Sequence, residues 1–132
     1  MDDQPSRPGV RLDHFVLTVR SIDQTIDFCR QAIGLDVVTF GDGRRALQIG
    51  QQKVNLHEAG HEFEPKARVP TPGSGDFCLV TTEPLDDVIT RLARLGIAIE
   101  EGPVGRTGAI GPLLSVYVRD PDDNLVEIAN AG

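Results

Sequence analysis

The chain has 132 residues, of which 39% are hydrophobic and 25% charged, enough for one globular domain with its own core. Its net charge of −7 would be repelled by a phosphate backbone, so we expect no non-specific binding to nucleic acid. No apolar run reaches the roughly 20 residues that a membrane-spanning helix needs. The first ten residues lack the basic and apolar regions of a signal peptide. We therefore expect a cytoplasmic protein with no membrane partner, in which residues 1–10 are a disordered lead-in.

The first half of the chain predicts a β-α-β-β-β unit, module 1, over residues 11–59. Leu12–Arg20 alternates apolar and polar side chains, which is typical of a strand with one buried face. A helical pattern follows, with Ser21 as its N-cap and Gly34 as its end. Three further strands are predicted at Leu35–Phe40, Arg45–Ile49 and Lys53–Glu58.

The second half repeats this order after a linker at residues 60–75, whose prolines and glycines exclude regular structure. Module 2, residues 76–132, has a predicted strand at Asp76–Thr82 and a helix that begins at Pro84 and ends at Gly96. The remaining segments are predicted strands at Ile97–Glu101, Leu113–Arg119 and Asn124–Ala129, with a glycine-rich loop at Gly102–Pro112. We interpret residues 11–132 as a single domain.

Two units with the same element order indicate an internal duplication. Paired around a pseudo-twofold axis, they predict an α+β fold in which eight strands form one curved mixed sheet around a central cleft, with the helices outside. In this alignment His14 matches Asp76, and the segment Val54–His57 matches Asn124–Glu127. The match therefore pairs His57 with Glu127.

These four residues, His14, His57, Asp76 and Glu127, are the candidate metal ligands. A set of imidazoles and carboxylates suits Zn²⁺, Ni²⁺, Mn²⁺ or Fe²⁺, and its open coordination positions would accept water or a substrate. Each residue alone also has a structural explanation; Asp76, for example, is a plausible capping residue at the start of its strand. Because all four occupy matching positions of the repeat, the pattern favours a divalent metal site, with no organic cofactor.

The chain also resembles a known family, the vicinal oxygen chelate superfamily of glyoxalases, bleomycin resistance proteins and dioxygenases. LDHFVLTVRSIDQTIDFCRQAIGL resembles the opening segment of that family, and VYVRDPDDNLVEIAN resembles its closing segment. FEPKA and EEGPVGRTGAIGP resemble its small glyoxalase-domain members, some of which are labelled virulence proteins. The resemblance implies paired β-α-β-β-β modules around a divalent metal, with ligands at His14 and Glu127, and a homodimer.

A lyase or isomerase of the glyoxalase type is the first activity that the resemblance implies. The metal would stabilise an enediolate on a small oxygenated substrate, such as a glutathione or other thiol adduct, while Asp76 or Glu127 moves a proton. The candidate residues for substrate binding are Lys53, Arg106, Tyr117 and Arg119. His57 and Asp76 differ from the ligands usual in better-known members, so the particular reaction stays open.

Two alternatives remain at this point. His14, His57 and Glu127 together form a two-histidine, one-carboxylate set, which is also used by Fe²⁺-dependent dioxygenases. The same cleft would also serve a non-catalytic protein that binds a small molecule or drug and thereby confers resistance.

Overall fold

The computed structural model describes residues 9–132, so residues 1–8 of the predicted lead-in lie outside the described part. The α+β class and the two β-α-β-β-β modules are confirmed. The helices are α1 (Ile22–Phe28), which continues into a π-helical turn (Cys29–Ile33), and α2 (Leu85–Arg94). The strands are β1 (His14–Val19), β2 (Asp36–Phe40), β3 (Arg44–Ile49), β4 (Gln52–Glu58), β5 (Asp76–Val80), β6 (Glu101–Thr107), β7 (Pro112–Arg119) and β8 (Leu125–Ala131).

The helix boundaries follow the signals in the sequence. The hydroxyl of Ser21 accepts a hydrogen bond from the Gln24 N–H at 3.2 Å and caps α1. Gly34 ends the π-helical turn in the left-handed conformation, with φ of 85°, which a side chain would disfavour. Asp123 adopts the same region, with φ of 67°, and so turns the chain into β8.

The eight strands form two four-stranded ladders, one per module, rather than one continuous hydrogen-bonded sheet. Their strand orders are β1-β4-β3-β2 and β5-β8-β7-β6. In each sheet the first and last strands of the module are parallel neighbours, and the other pairs are antiparallel. The two sheets therefore have the same topology, as a duplication requires.

One face of each sheet is buried against the helices and forms a core. Val19, Leu56 and Ile26 belong to the first core, and Val126 and Leu92 to the second. Partly buried Phe77 packs against both cores, and its ring lies 6.2 Å from that of Phe15, centroid to centroid. The edge strands β1 and β5 therefore lie side by side, and each sheet keeps an opposite face, here called its open face.

None of the helices within residues 9–132 has the length and apolar character needed to cross a membrane.

One predicted strand was wrong. Ile97–Glu101 is not a strand except at its last residue, and β6 instead runs through the first part of the predicted glycine-rich loop. Ile97 and Ile99 pack against the second core without pairing in the sheet. Because β6 is an edge strand, paired only with β7, it tolerates glycine and proline at positions where a central strand would not.

The predicted alignment of the last strands was also wrong, by two residues. His14 lies opposite Lys53 in the first sheet, and its repeat partner Asp76 lies opposite Leu125 in the second. The structural equivalent of Glu127 is therefore Asn55. Side chains alternate with a period of two, so a shift of two residues keeps every side chain on its face and leaves the sequence pattern unchanged.

Candidate functional site

His14 and Asn55 form a pair of donor groups on the open face of the first sheet. They are diagonal neighbours on β1 and β4, because Asn55 lies opposite Val16. The exposed His14 ring contacts the Asp13 carboxylate through Nδ1 at 2.8 Å, so Nε2 is the ring nitrogen that remains for a metal. This bond lowers the pKa of Asp13. Asn55 is only 5% exposed, and its Oδ1 has no hydrogen-bond partner in the described part of the chain, residues 9–132.

Asp76 and Glu127 form the corresponding pair in the second sheet, in the same diagonal relation on β5 and β8. Asp76 is exposed, whereas Glu127 is half-buried. The hydroxyl of Ser115, on β7, donates a hydrogen bond to Glu127 Oε2 at 2.6 Å and fixes the orientation of the carboxylate. Each sheet thus carries two oxygen or nitrogen donors that suit a divalent ion.

A single chain does not gather the four predicted ligands. Within residues 9–132, no three His, Cys, Asp or Glu side chains lie close enough together to hold a metal ion. The predicted convergence of all four in one cleft is therefore not seen within the chain. By the chemistry of their donors the residues fit a divalent metal, but two donors at one place are too few to complete a site. Their role as ligands stays a prediction.

His57 has surroundings unlike those of the other three. It lies opposite Thr18, four residues beyond His14 along β1, a separation of about 13 Å at the usual rise of a strand. The side chain is buried, and Arg44 Nη2 lies 3.3 Å from its Nε2. Burial, and then the positive charge of Arg44, lower the pKa of His57. A metal bound at Nε2 would have to displace Arg44. This contact therefore disfavours His57 as a metal ligand.

A cavity of about 440 Å³ lies between β1, the linker and the start of β5. Its polar lining includes Thr18, His57, Thr71, Ser74 and Asp76. Two of the predicted site residues, His57 and Asp76, therefore share the wall of one cavity large enough for a small molecule.

The four predicted substrate-binding residues all have partners within the protein. Lys53 Nζ lies 3.3 Å from the centroid of the Phe40 ring, on the open face of the first sheet. On the second sheet, Arg106 forms an ion pair with Glu101 and donates a hydrogen bond to the Tyr117 hydroxyl at 2.9 Å. Tyr117 lies directly opposite Glu127 in the second sheet, as Lys53 lies directly opposite His14 in the first.

Arg119 differs from the other three because its Nε and Nη2 donate to the two oxygens of the Glu100 carboxylate, at 3.0 and 2.9 Å. This ion pair is exposed. An anionic substrate would have to compete with Glu100 for it. Substrate binding by these four residues stays a prediction.

Sequence reasoning missed four residues of this region: Asp13, Arg44, Asn55 and Phe63. The alternation in Lys53–Glu58 places Asn55 on the same face as His57, and that was the signal available for it. Arg44 and Phe63 gave no such signal, because one was assigned to a turn and the other to the linker. Only the fold brings the two together, with the Arg44 guanidinium 4.4 Å from the centroid of the Phe63 ring.

Known proteins resemble this chain over almost its whole length. A virulence protein of Salmonella typhimurium, STM3117, is 53% identical over 119 residues, which are 90% of this chain and 83% of that protein. Its crystal structure superposes with a TM-score of 0.89 and 51% identity, covering 93% of this chain and 98% of that one. The glyoxalase domain-containing protein RDO1 of Mycosarcoma maydis is 55% identical over 119 residues, 90% of this chain and 67% of that protein.

A more distant likeness is to the crystal structure of lactoylglutathione lyase from Agrobacterium tumefaciens. It is 26% identical, with a TM-score of 0.69, and the match covers 94% of this chain and 96% of that one. Residues 11–128 match the model of the glyoxalase/bleomycin resistance protein/dioxygenase superfamily. The paired modules and the matched span agree, and the chain belongs to this superfamily.

Proposed function

We propose that the chain is a divalent-metal-dependent enzyme of the glyoxalase type, a lyase or isomerase that acts in the cytoplasm as a homodimer. The observation that supports it most is the repeated diagonal pair of donors, His14 with Asn55 and Asp76 with Glu127. A duplicated fold that merely packs has no need for polar donors at the same position of both open faces.

The proposed metal site takes the donor pair of the first sheet from one copy of the chain and the donor pair of the second sheet from another copy. Its donors are His14 Nε2 and Asn55 Oδ1 of one copy with the carboxylates of Asp76 and Glu127 of the other. A second copy is invoked because residues 9–132 of one chain bring no three His, Cys, Asp or Glu side chains together. The unpartnered Oδ1 of the buried Asn55 supports this assignment, since an amide oxygen without a hydrogen bond is free to bind a cation.

When bound, the metal would polarise two neighbouring oxygens of the substrate. Individual residues of the chain would then position the ligands and transfer the proton. Asp13 holds the ring of His14 through Nδ1. Ser115 donates to Oε2 of Glu127 and holds that carboxylate in place, and Asp76 or Glu127 would move the proton from one substrate carbon to the neighbouring carbon. The cavity between β1 and the linker, lined by His57 and Asp76, would hold the remainder of the substrate.

The proposal is tested by elemental analysis of purified protein together with an isomerisation assay using methylglyoxal and glutathione. We expect bound Zn, Ni or Mn in wild-type protein, and loss of both metal and activity in Glu127→Gln. Glu101→Gln removes a similar charge from the neighbouring surface, and we expect it to retain the metal. Bound iron would support the dioxygenase instead. Failure of wild-type protein to bind any divalent metal would overturn the proposal in favour of a non-catalytic binding protein.

A further inference from the structure

Two buried hydrogen-bond donors on the open face of the first sheet have no partner among residues 9–132. They are Arg44 Nε, at the start of β3, and His57 Nδ1, on the neighbouring strand β4. His57 is 3% exposed. Leaving such a group unpaired in the interior is unfavourable, and more so when it is charged, so two of them on neighbouring strands indicate something that binds there.

The contact between these two residues determines which nitrogen of His57 carries the hydrogen. Arg44 Nη2 lies 3.3 Å from His57 Nε2, and a guanidinium has only donors. Nε2 must therefore accept, which places the hydrogen of the neutral ring on Nδ1. Both unpartnered atoms are thus N–H groups, and both require an acceptor.

Two aromatic rings hold the guanidinium of Arg44 in position. Its central carbon lies 5.1 Å from the centroid of the Phe40 ring and 4.4 Å from that of Phe63. Phe63 also meets the His57 ring edge-on, at 5.4 Å between centroids. It belongs to the linker and is 41% exposed, so it contacts both side chains from the solvent side. Stacking explains where the rings lie, but it gives no acceptor to either N–H group.

The charges around this position are mixed. Lys53 lies on the same open face, over the Phe40 ring. Glu62 is the nearby carboxylate that acts on His57, and it is already engaged by the Gly60 N–H at 2.8 Å and by Lys66 at 3.4 Å. Since Glu62 is paired with Lys66, Arg44 and Lys53 are the nearby cations on this face, in a chain whose net charge is −7, and the Asp13 carboxylate lies near Lys53.

We propose that Arg44 Nε–H and His57 Nδ1–H form a subsite for the oxyanion of a small organic molecule, whose remainder occupies the cavity lined by His57, Thr18 and Asp76. The anion is a carboxylate or a phosphate or phosphonate group, because these carry several oxygens that accept charge-assisted hydrogen bonds. Phe63 moves with the linker to admit it. This deepens the proposed function by naming an anionic substrate class, and it rests on that function only for the use of the cavity.

Calorimetric titration of metal-free protein tests the subsite, with inorganic phosphate, acetate and the neutral acetamide as probes. We expect phosphate or acetate to bind and acetamide not to bind. The anion that binds more tightly identifies the anionic group of the substrate. Arg44→Gln should weaken binding by about 10-fold or more, as the loss of a charge-assisted hydrogen bond does. The matched control is Arg45→Gln, which removes the same charge from the opposite face of β3, where Arg45 pairs with Asp23. It should leave binding unchanged.

A second measurement does not depend on the folding of a variant. In wild-type protein, the ¹⁵N–¹H signal of His57 Nδ1, assigned with His57→Gln, should shift when the anion is added. No binding of either anion, equal weakening by Arg44→Gln and Arg45→Gln, or an unmoved His57 signal would each overturn the subsite. Because these titrations contain no metal and no turnover, their failure leaves the metal proposal standing, and failure of metal uptake leaves the subsite standing.

Discussion

Asn55 occupies in the first sheet the position that Glu127 occupies in the second. Each is the diagonal neighbour of the first residue of its module's first strand, His14 in one case and Asp76 in the other. The duplicated fold thus retains two donor positions per sheet, but the donor groups differ between the sheets. They are an imidazole and an amide in the first sheet, and two carboxylates in the second.

Replacing Asn55 by Asp should make the stability of the fold depend more strongly on bound metal than it does in wild-type protein. Without metal, the new carboxylate at a 5% exposed position has no partner, so we expect the free energy of unfolding to fall by about 1–3 kcal/mol. A divalent metal would supply the missing partner, so added Mn²⁺ should raise the melting temperature of Asn55→Asp more than that of wild type. Asn55→Ala is the control. It removes the Oδ1 atom proposed to bind the metal, so its melting temperature should no longer respond to Mn²⁺. A response of Asn55→Asp no larger than that of Asn55→Ala would contradict the proposed role of this position.

Asn124 should be essential for placing the second donor pair. It is fully buried, donates from Nδ2 to Asp120 at 2.8 Å, and accepts the Gly75 N–H at 2.7 Å through Oδ1. These bonds tie the turn before β8 to the residue before Asp76. We expect Asn124→Ala to lower the free energy of unfolding by about 2–4 kcal/mol, since it leaves two buried groups unpaired. Chemical denaturation measures this, and a loss below about 0.5 kcal/mol would show that water replaces the side chain.

Acid should remove the contribution of the ion pair between Glu83 and Arg91. The hydrogen bond from Arg91 lowers the pKa of Glu83, so the pair stabilises the fold above the pKa that Glu83 has when unfolded. This contribution is lost as the pH falls through the lower folded pKa. Both side chains keep some contact with solvent, and screening limits the effect to about 1 kcal/mol or less.

Denaturation of wild type and Glu83→Gln across the acidic range measures that contribution. The difference in stability between the two proteins should be largest near neutral pH and should shrink in acid. Thr90→Ala, an exposed change on the same helix, serves as the control, with a difference that does not depend on pH. A Glu83→Gln difference that stays constant with pH would contradict the prediction.

The modules could be predicted from the sequence because their helices and strands carry strong local signals. Ser21, Gly34 and the alternation in β1 each act within a few residues, and the structure confirms them. Strand pairing is not local. The two-residue error at Asn55 and His57 arose because both side chains point to the same face, and only the hydrogen-bond ladder distinguishes them.

The candidate site was predictable only in part for the same reason. His14, Asp76 and Glu127 stand out as polar residues in apolar strands. The partners that define their chemistry come from elsewhere in the fold. Phe63 reaches His57 from the linker, and Ser115 reaches Glu127 across the sheet. Contacts of this kind depend on tertiary packing, which no periodicity in the sequence encodes.

The claim that the metal site combines donors from two copies is tested most directly by mixing two inactive variants. His14→Ala destroys the donor pair of the first sheet, and Glu127→Ala destroys that of the second. If each site takes one pair from each copy, mixed dimers contain one intact site, and metal binding and activity should return after the two variants are unfolded and refolded together. If mixing restores neither, although each variant folds and dimerises, the shared site is contradicted.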